Sequence, residues 1–444
     1  MRPAQRFAFV IVGSGDYLGS TVRDLSIANT LHRRGFKVVV YWMMEVNAQM
    51  ADPGIEHRML CHGTRYHFQR PSDLLDKLGS ALFLLPQAVR LRIVQGQAGY
   101  VDRLITNLTR ALYATPDADS VLAERLSDFI AKDQVNCLML SFASLGPLAL
   151  AAKKLSVHQF DYLLTFQGDE QFAAHAQRLG ILAFYCERLN DALRQSPWPA
   201  VVVSHDYVER IVDEMQVPRP LLSVIYNGIE LPAPERHLKF SELQSVFPGL
   251  VENIPIVAYL GRQDSEKGID LLLYAARLLA TRKIQMQLVI CGSTAKGQSY
   301  RKVLEELAAH LGLFIHHAGS VSPQVRDALY AHSRCVVYPS INREPFGLVV
   351  AEAMSHGTPV LVPNYGGVGE VILQGEHAGG LTFETWDSGD VARQLERLLV
   401  DETLYRRLVG NTRMIAARFG VDKMTDDVLA HIGVSAREAA HEER

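Results

Sequence analysis

Two glutamates, Glu344 and Glu352, lie on a run that opens Arg343-Glu344-Pro345-Phe346-Gly347-Leu348 and leaves through Gly357-Thr358-Pro359-Val360. A carboxylate accepts two hydroxyls in fork geometry. Free amides at a helix start, together with the helix dipole, favour an anion. Pro345 suits a first helical position, and the small Gly347 lets a ligand approach the amides of Phe346, Gly347 and Leu348. At about 1.5 Å per helical residue the two carboxylates stand about 12 Å apart, the reach from a sugar to the ribose of its nucleotide. The spacing therefore suits a nucleotide-sugar, with Glu344 on sugar hydroxyls, Glu352 on the ribose diol and a diphosphate between them. Two solitary glutamates would pass for the solvated face of an amphipathic helix; the whole string with its Gly-Thr-Pro-Val exit argues against that.

Arg262 and Lys267 frame a second candidate, the loop Gly261-Arg262-Gln263-Asp264-Ser265-Glu266-Lys267-Gly268. Two permanent cations beside a glycine turn can neutralise a diphosphate leaving group. Surface charge on an ordinary strand-to-helix loop is the plainer alternative. Asp117-Ala118-Asp119 follows Thr115-Pro116 and reads as a turn or helix cap, so no metal site is expected. Gly13-Ser14-Gly15 follows a strand, and Glu45 ends the next, which raises a dinucleotide-dependent oxidoreductase as a rival. Its fingerprint needs a third glycine three residues after the second, whereas Gly19 comes after four.

The elements that must carry these residues follow from apolar runs and breakers. Phe7–Val12 reads as a buried strand, Ser20–Arg34 as a helix ended by Gly35, and Lys37–Met43 as the next strand, a βαβ opening. Residues 61–130 read as mostly helical, with Arg65, Arg70, Lys77, Arg90, Arg92, Arg103 and Arg110 among apolar positions; solvated faces explain these better than peripheral membrane contact. Strands then recur at 162–166, 200–204 and 222–226. After a proline-rich stretch a second series begins at Ile256–Leu260, with strands 288–291, 335–338 and 360–362 and helices 268–282, 300–311 and 323–331. A boundary near residue 235 is expected, giving domains 1–234 and 235–419, with a helix over 420–440 packing back on the first and a frayed tail over 436–444. Both domains read as doubly wound α/β layers.

With 444 residues, 48% hydrophobic and 21% charged, the chain has enough apolar content for two cores. A formal net charge of −3 gives no global pull toward nucleic acid. Five scattered cysteines, without CxxC spacing, fit a reducing cytosol better than a disulfide framework or a zinc site. The run 7–12 is too short for a convincing signal peptide, and no apolar run approaches a membrane span.

From Gly261 onward the chain resembles the retaining glycosyltransferases of the GT-B fold, specifically the large family 4. The resemblance is carried by Gly261 to Gly268, Cys291-Gly292-Ser293, Gly319-Ser320-Val321, Tyr338-Pro339-Ser340, the Glu344 to Glu352 string and Gly366-Gly367. It is strongest over residues 222–375. It implies two Rossmann-like doubly wound domains facing a central cleft, a nucleotide-diphosphate sugar as donor substrate (UDP favoured over GDP), a hydroxyl acceptor of unstated class, and no cofactor or metal. It makes Arg262, Lys267 and Glu344 candidate catalytic residues, with the first two doing the work a divalent metal does elsewhere. The family's glycine-rich first loop is matched by Gly13 to Gly19, with Gly15 and Gly19 as candidate ligand contacts, although the usual Gly-Gly pair is missing. Where the family has a histidine after the strand Leu163-Leu164-Thr165-Phe166, this chain has Gln167, a fourth candidate catalytic residue, which can donate a hydrogen bond to a sugar hydroxyl but cannot titrate. Asp169 and Glu170 follow it, and Ser204-His205-Asp206 and Tyr226-Asn227-Gly228-Ile229-Glu230 resemble a late motif of the first domain and the interdomain exit. A hexosyl transfer with retention is the implied reaction, and alanine at Arg262 or Lys267 is expected to reduce it greatly in a protein that stays folded. The alternatives are a non-catalytic nucleotide-sugar-binding protein, suggested by Gln167, and a nucleotide-sugar epimerase on the same fold.

Overall fold

The computed structural model describes residues 5–13, 19–44, 46, 48–82, 85, 100–115, 117–233, 238–294 and 299–434. Gly15, Glu45, Arg90, Arg92 and the tail 436–444 therefore lie outside the described residues. The chain divides into two compact units, Met1–Tyr226 with Met424–Arg444, and Asn227–Lys423.

The first unit is built on strands β1 (Arg6–Val12), β2 (Lys37–Met44), β3 (Glu56–His62), β4 (Cys137–Leu140), β5 (Asp161–Phe166), β6 (Ala200–Val202) and β7 (Leu222–Val224). They form one sheet in the order β3-β2-β1-β4-β5-β6-β7, and every pairing is parallel. Parallel strands are covered on both faces, so they read as unbroken apolar runs; in β1 all residues from Phe7 to Val12 are buried. That is why β1, β2, β4 and β5 are legible. β3 is not: it is an edge strand whose outer end, from Glu56, is polar, and its last residues, Cys61 and His62, fall at the start of the stretch read as helical. Among the described residues of that stretch lie the helices Asp73–Leu82, Tyr100–Tyr113 and Ser120–Asp133. Arg65 also departs from the solvated-face reading. It is buried, and its guanidinium bonds Asp119 at 2.8 and 2.9 Å, Asp76 at 3.2 Å, and Asp73. Asp119 caps the helix Ser120–Asp133 by accepting from the Leu122 amide. Among the described residues no helix is long and apolar enough to cross a membrane. The segment from Met424 packs on this unit, with Arg34 bonded to Asp426 at 2.5 Å and His431 bonded to the Pro199 carbonyl at 2.8 Å.

In the second unit, β8 (Ile256–Leu260), β9 (Gln287–Cys291), β10 (Ile315–His317), β11 (Cys335–Val337), β12 (Val360–Pro363) and the strand Gly380–Phe383 form a parallel sheet in the order β10-β9-β8-β11-β12 and then Gly380–Phe383. Val257, Tyr259, Ile290, Val337 and Leu361 face Leu272, Leu273 and Leu395 from the covering helices to make its core. In each sheet the strand order reverses once, between β1 and β4 and between β8 and β11. Helices leave toward opposite faces at such a point, which opens a crevice at the carboxyl ends of the strands.

One buried acid of the first unit ties stability to pH. Asp169 is fully buried, accepts from the Ser144 amide at 2.7 Å and the Ser144 hydroxyl at 2.6 Å, and receives the amide of Gln167 at 3.3 Å. Burial outweighs these bonds and, with Glu170 beside it, pushes the carboxyl up to about 7. An acid raised in the folded state contributes stability that is fully present below about pH 4 and is lost as pH rises through about 7. Subtracting the stability profile of Asp169→Asn from that of the wild type should therefore leave a decline between pH 4 and 7; a flat difference in denaturant titrations would overturn this.

Candidate functional site

The loops that follow β8 and β11 meet at the reversal point of the second sheet. After β8 the chain turns through Gly261, whose amide donates to the Cys291 carbonyl at 3.1 Å. A Cβ at Gly292 would sit 1.8 Å from the Gly261 carbonyl oxygen, so the two loops touch backbone to backbone. Asp264 caps the short turn Ser265–Lys267 by accepting from the Glu266 amide at 3.1 Å. Gly268 then leads into the helix Ile269–Thr281 with φ of +60°, and a Cβ there would meet the Pro339 carbonyl oxygen at 2.1 Å. Only glycine fits both that conformation and that contact. The amide of Ile341 donates to the Glu266 carbonyl at 3.1 Å and fastens the second loop to the first.

These contacts bring Lys267 and Glu344 together. The Lys267 ammonium bonds a Glu344 carboxylate oxygen, donates to the Tyr338 hydroxyl at 3.2 Å and lies 5.4 Å from the centroid of the Tyr338 ring. Ser340 donates its hydroxyl to the same Glu344 oxygen at 2.7 Å. Burial alone pushes the Glu344 carboxyl up, but Lys267, Ser340 and Arg262 outweigh it and hold it below the usual carboxylate range. Burial likewise pushes the Lys267 ammonium down, and Glu344 outweighs it, so the ammonium stays above its usual range. Both groups are charged at neutral pH. Among the described residues one ammonium proton of Lys267 has no partner. Arg262 is held more loosely: Nη1 stands 3.1 Å from Asp264 Oδ2 without hydrogen-bond alignment, and its side chain is 30% exposed.

The helix bearing Glu352 runs Leu348–Ser355, with Gly347 as its left-handed N-cap at φ +90° and no side-chain cap. Pro345 therefore precedes the helix instead of opening it, because Gly347 makes the turn. Phe346 is 2% exposed and packs edge-on against Phe419, centroids 5.4 Å apart, so its side chain anchors the loop. A Cβ at Gly347 would stand 2.8 Å from Val368 Cγ1. The amide of Gly367 donates to the Glu344 carbonyl at 2.8 Å, and a Cβ at Gly366 would meet Glu344 backbone atoms at 2.8 and 2.9 Å, which sets the role of the Gly366-Gly367 pair. Glu352 accepts from the Tyr330 hydroxyl at 2.7 Å.

The second unit thus gathers Arg262, Lys267, Glu344, Gly347 and Leu348 around one reversal point, with Glu352 on the helix they start. Gly19 and Gln167 belong to the first unit. Gly19 is the exposed first residue of α1 (Gly19–Arg33). Gln167 follows β5, and its amide nitrogen donates to the Ser141 carbonyl at 2.8 Å and faces Asp24 Oδ2 at 3.4 Å, leaving Oε1 without a partner among the described residues. A flipped amide would set oxygen against both acceptors, so the group Gln167 can offer a ligand is an acceptor, not the donor expected from sequence. Sequence reasoning assigned no role to Tyr338, Ser340 or Tyr330, although the Tyr338-Pro339-Ser340 spacing marked the first two.

The folding of two doubly wound parallel sheets, each with its crevice at a reversal of strand order, is that of the GT-B glycosyltransferases. Over 97% of this chain and 99% of the other, it superposes on the Anabaena protein HepE in complex with UDP and glucose with a TM-score of 0.68 at 16% identity, a likeness of fold. Residues 241–414 match the family described as Glycosyl transferases group 1, and the chain carries a domain of that family. It is 28% identical over 207 residues to a lipopolysaccharide 1,2-N-acetylglucosaminetransferase of Salmonella typhimurium, covering 46% of this chain and 53% of that one. To a D-inositol 3-phosphate glycosyltransferase of Salinispora arenicola it is 31% identical over 235 residues, covering 50% and 52%. The chain spans about half the length of these curated relatives.

Removing one member of a buried ion pair leaves the other charge uncompensated, at a cost of about 3–5 kcal/mol. Lys267→Met should accordingly lose about that much stability, and Lys267→Met with Glu344→Leu should regain most of it, as read by urea unfolding. The same measurement tests the expectation that alanine at Lys267 spares the fold. Equal stability of the single and double variants would show that Glu344 does not depend on Lys267.

Proposed function

We propose that the chain is a retaining, metal-independent hexosyltransferase of family 4 that moves a sugar from a nucleotide diphosphate, UDP in preference to GDP, to an acceptor hydroxyl. The observation that supports this most is the charged Lys267–Glu344 pair beside half-exposed Arg262, at the reversal point of the second sheet and next to a helix start without a side-chain cap. An anion favours such a helix end. The diphosphate takes the unpartnered Lys267 proton, the partly exposed guanidinium of Arg262 and the amides near Gly347 and Leu348. Glu344 keeps one carboxylate oxygen outside its bonds to Lys267 and Ser340, and that oxygen accepts sugar hydroxyls. Glu352 serves the ribose diol, oriented by Tyr330.

With retention and no protein nucleophile, the acceptor hydroxyl attacks the anomeric carbon on the face from which the diphosphate departs. The O–C bond forms as the C–O bond to phosphate breaks, and the hydroxyl proton passes to the leaving phosphate oxygen. Arg262, Lys267 and the amides offset charge growing on that leaving group, which is the role preorganised donors fill in transfer reactions. Five buried, unpaired cysteines suit work in a reducing cytosol. Binding of UDP to the Anabaena neighbour supports a uridine donor by analogy of fold.

A panel of nucleotide sugars in a thermal-shift assay should show UDP-hexoses raising the melting temperature most, with no change on adding a chelator. Arg262→Ala, whose side chain is partly exposed, should keep the wild-type melting temperature and weaken UDP binding by about tenfold or more, since hydrogen bonds to a charged group contribute about 1.5–3 kcal/mol. Near-normal turnover in Arg262→Ala would overturn the phosphate assignment.

A further inference from the structure

The reversal point of the first sheet carries its own polar constellation, and the roles above leave most of it unused. Arg23 and Asp24 lie on α1, directly after β1; Ser141 follows β4 and Gln167 follows β5. Arg23 is 2% exposed and Asp24 3%, positions where a doubly wound helix usually buries apolar side chains. Arg23 Nη1 donates to Asp24 Oδ1 at 2.8 Å, and Gln167 Nε2 faces the other oxygen of the same carboxylate at 3.4 Å. Burial pushes the Asp24 carboxyl up, and Arg23, Ser141 and Gln167 favour its charged form against that; the Ser141 hydroxyl stands near without alignment for a hydrogen bond. One buried carboxylate therefore gathers groups from three strand ends.

What it does not satisfy is the rest of the guanidinium. Nε and Nη2 of Arg23 have no partner among the described residues, and neither do Oε1 of Gln167 or Oγ of Ser141. Leaving buried donors unmatched is costly, and natural structures rarely do it without a ligand or water in place. Nε and Nη2 form one edge of the guanidinium, whose parallel N–H bonds match two oxygens of one carboxylate or phosphate. A neutral hydroxyl would leave part of that fork empty. Gln167 Oε1 accepts only, and Ser141 both donates and accepts, so they suit hydroxyls on the same molecule.

We infer that the Nε/Nη2 edge of Arg23 is the fork for an oxyanion, carboxylate or phosphate, on a hydroxyl-bearing acceptor, with Gln167 Oε1 and Ser141 Oγ taking its hydroxyls. This deepens the proposed transfer and rests on it for the word acceptor. Asp24 aims the fork by holding the opposite edge, and Gln167 stands at the family's histidine position as an acceptor for a neutral hydroxyl.

The test uses the full chain and three probes of one skeleton: glucose 6-phosphate, glucuronate and glucose, titrated by calorimetry. The phosphate or the carboxylate sugar should bind about tenfold tighter than glucose, and whichever does so identifies the oxyanion. Arg23→Lys keeps a charge for Asp24 but has no fork, so it should lose that preference while binding UDP as the wild type does. Equal binding of all three probes, or a preference kept by Arg23→Lys, would overturn the inference. Should the variant not fold, a wild-type crystal soaked in the preferred anionic sugar decides: oxygens on Arg23 Nε and Nη2 support the fork, and a sugar seated elsewhere refutes it. UDP binding is read separately, so failure of the donor reading and failure of the Arg23 reading give different results.

Discussion

An ammonium and a carboxylate, both removed from water, hold the two loops of the second crevice in place. Lys267 comes from the turn after β8 and Glu344 from the loop after β11, so their attraction closes the reversal point. Neither charge could stay there alone. Ser340, Tyr338 and Arg262 surround the pair, and the Gly366-Gly367 turn grips the Glu344 backbone from the far side. A charged pair fixed before any ligand arrives is also preorganised, because little has to move when a diphosphate enters beside it.

The two crevices follow one plan with different chemistry. In each, the segment after the central strand brings a cation, from a turn in one and a helix in the other, and the loop after the neighbouring strand brings a serine: Lys267 and Ser340 in one, Arg23 and Ser141 in the other. In the second unit the cation keeps an unpartnered proton beside half-exposed Arg262, which suits a polyvalent leaving group. In the first the guanidinium is enclosed and offers one flat edge, which suits a smaller, planar or tetrahedral group.

Much of this was legible in the sequence, and the reasons differ by element. Strands β1, β4, β5 and β8 announce themselves as unbroken apolar runs, since parallel strands are buried on both faces. β3 escaped because an edge strand with Glu56, His57 and Arg58 carries no such run. The Arg262, Lys267 and Glu344 set was visible because glycines at 261, 268 and 347 mark turns at positive φ, which favour glycine. Pairing across 77 residues, Lys267 to Glu344, was not visible, because register between loops is set by the sheet order. The same holds for Arg23 and Asp24, which look like two exposed charges on an ordinary helix until β4 and β5 are placed beside them. Gln167 was found by its position after β5, yet which end of its amide faces outward depended on the Ser141 carbonyl.

Gly261 and Gly292 bear on how such a chain can diversify. Where their backbones touch, the ground beneath the second crevice consists of peptide groups, and no side chain can be inserted there without prising β8 from β9. That patch is indifferent to sequence drift in everything but its two glycines. A change of substrate preference in this chain must therefore come from residues around the rim.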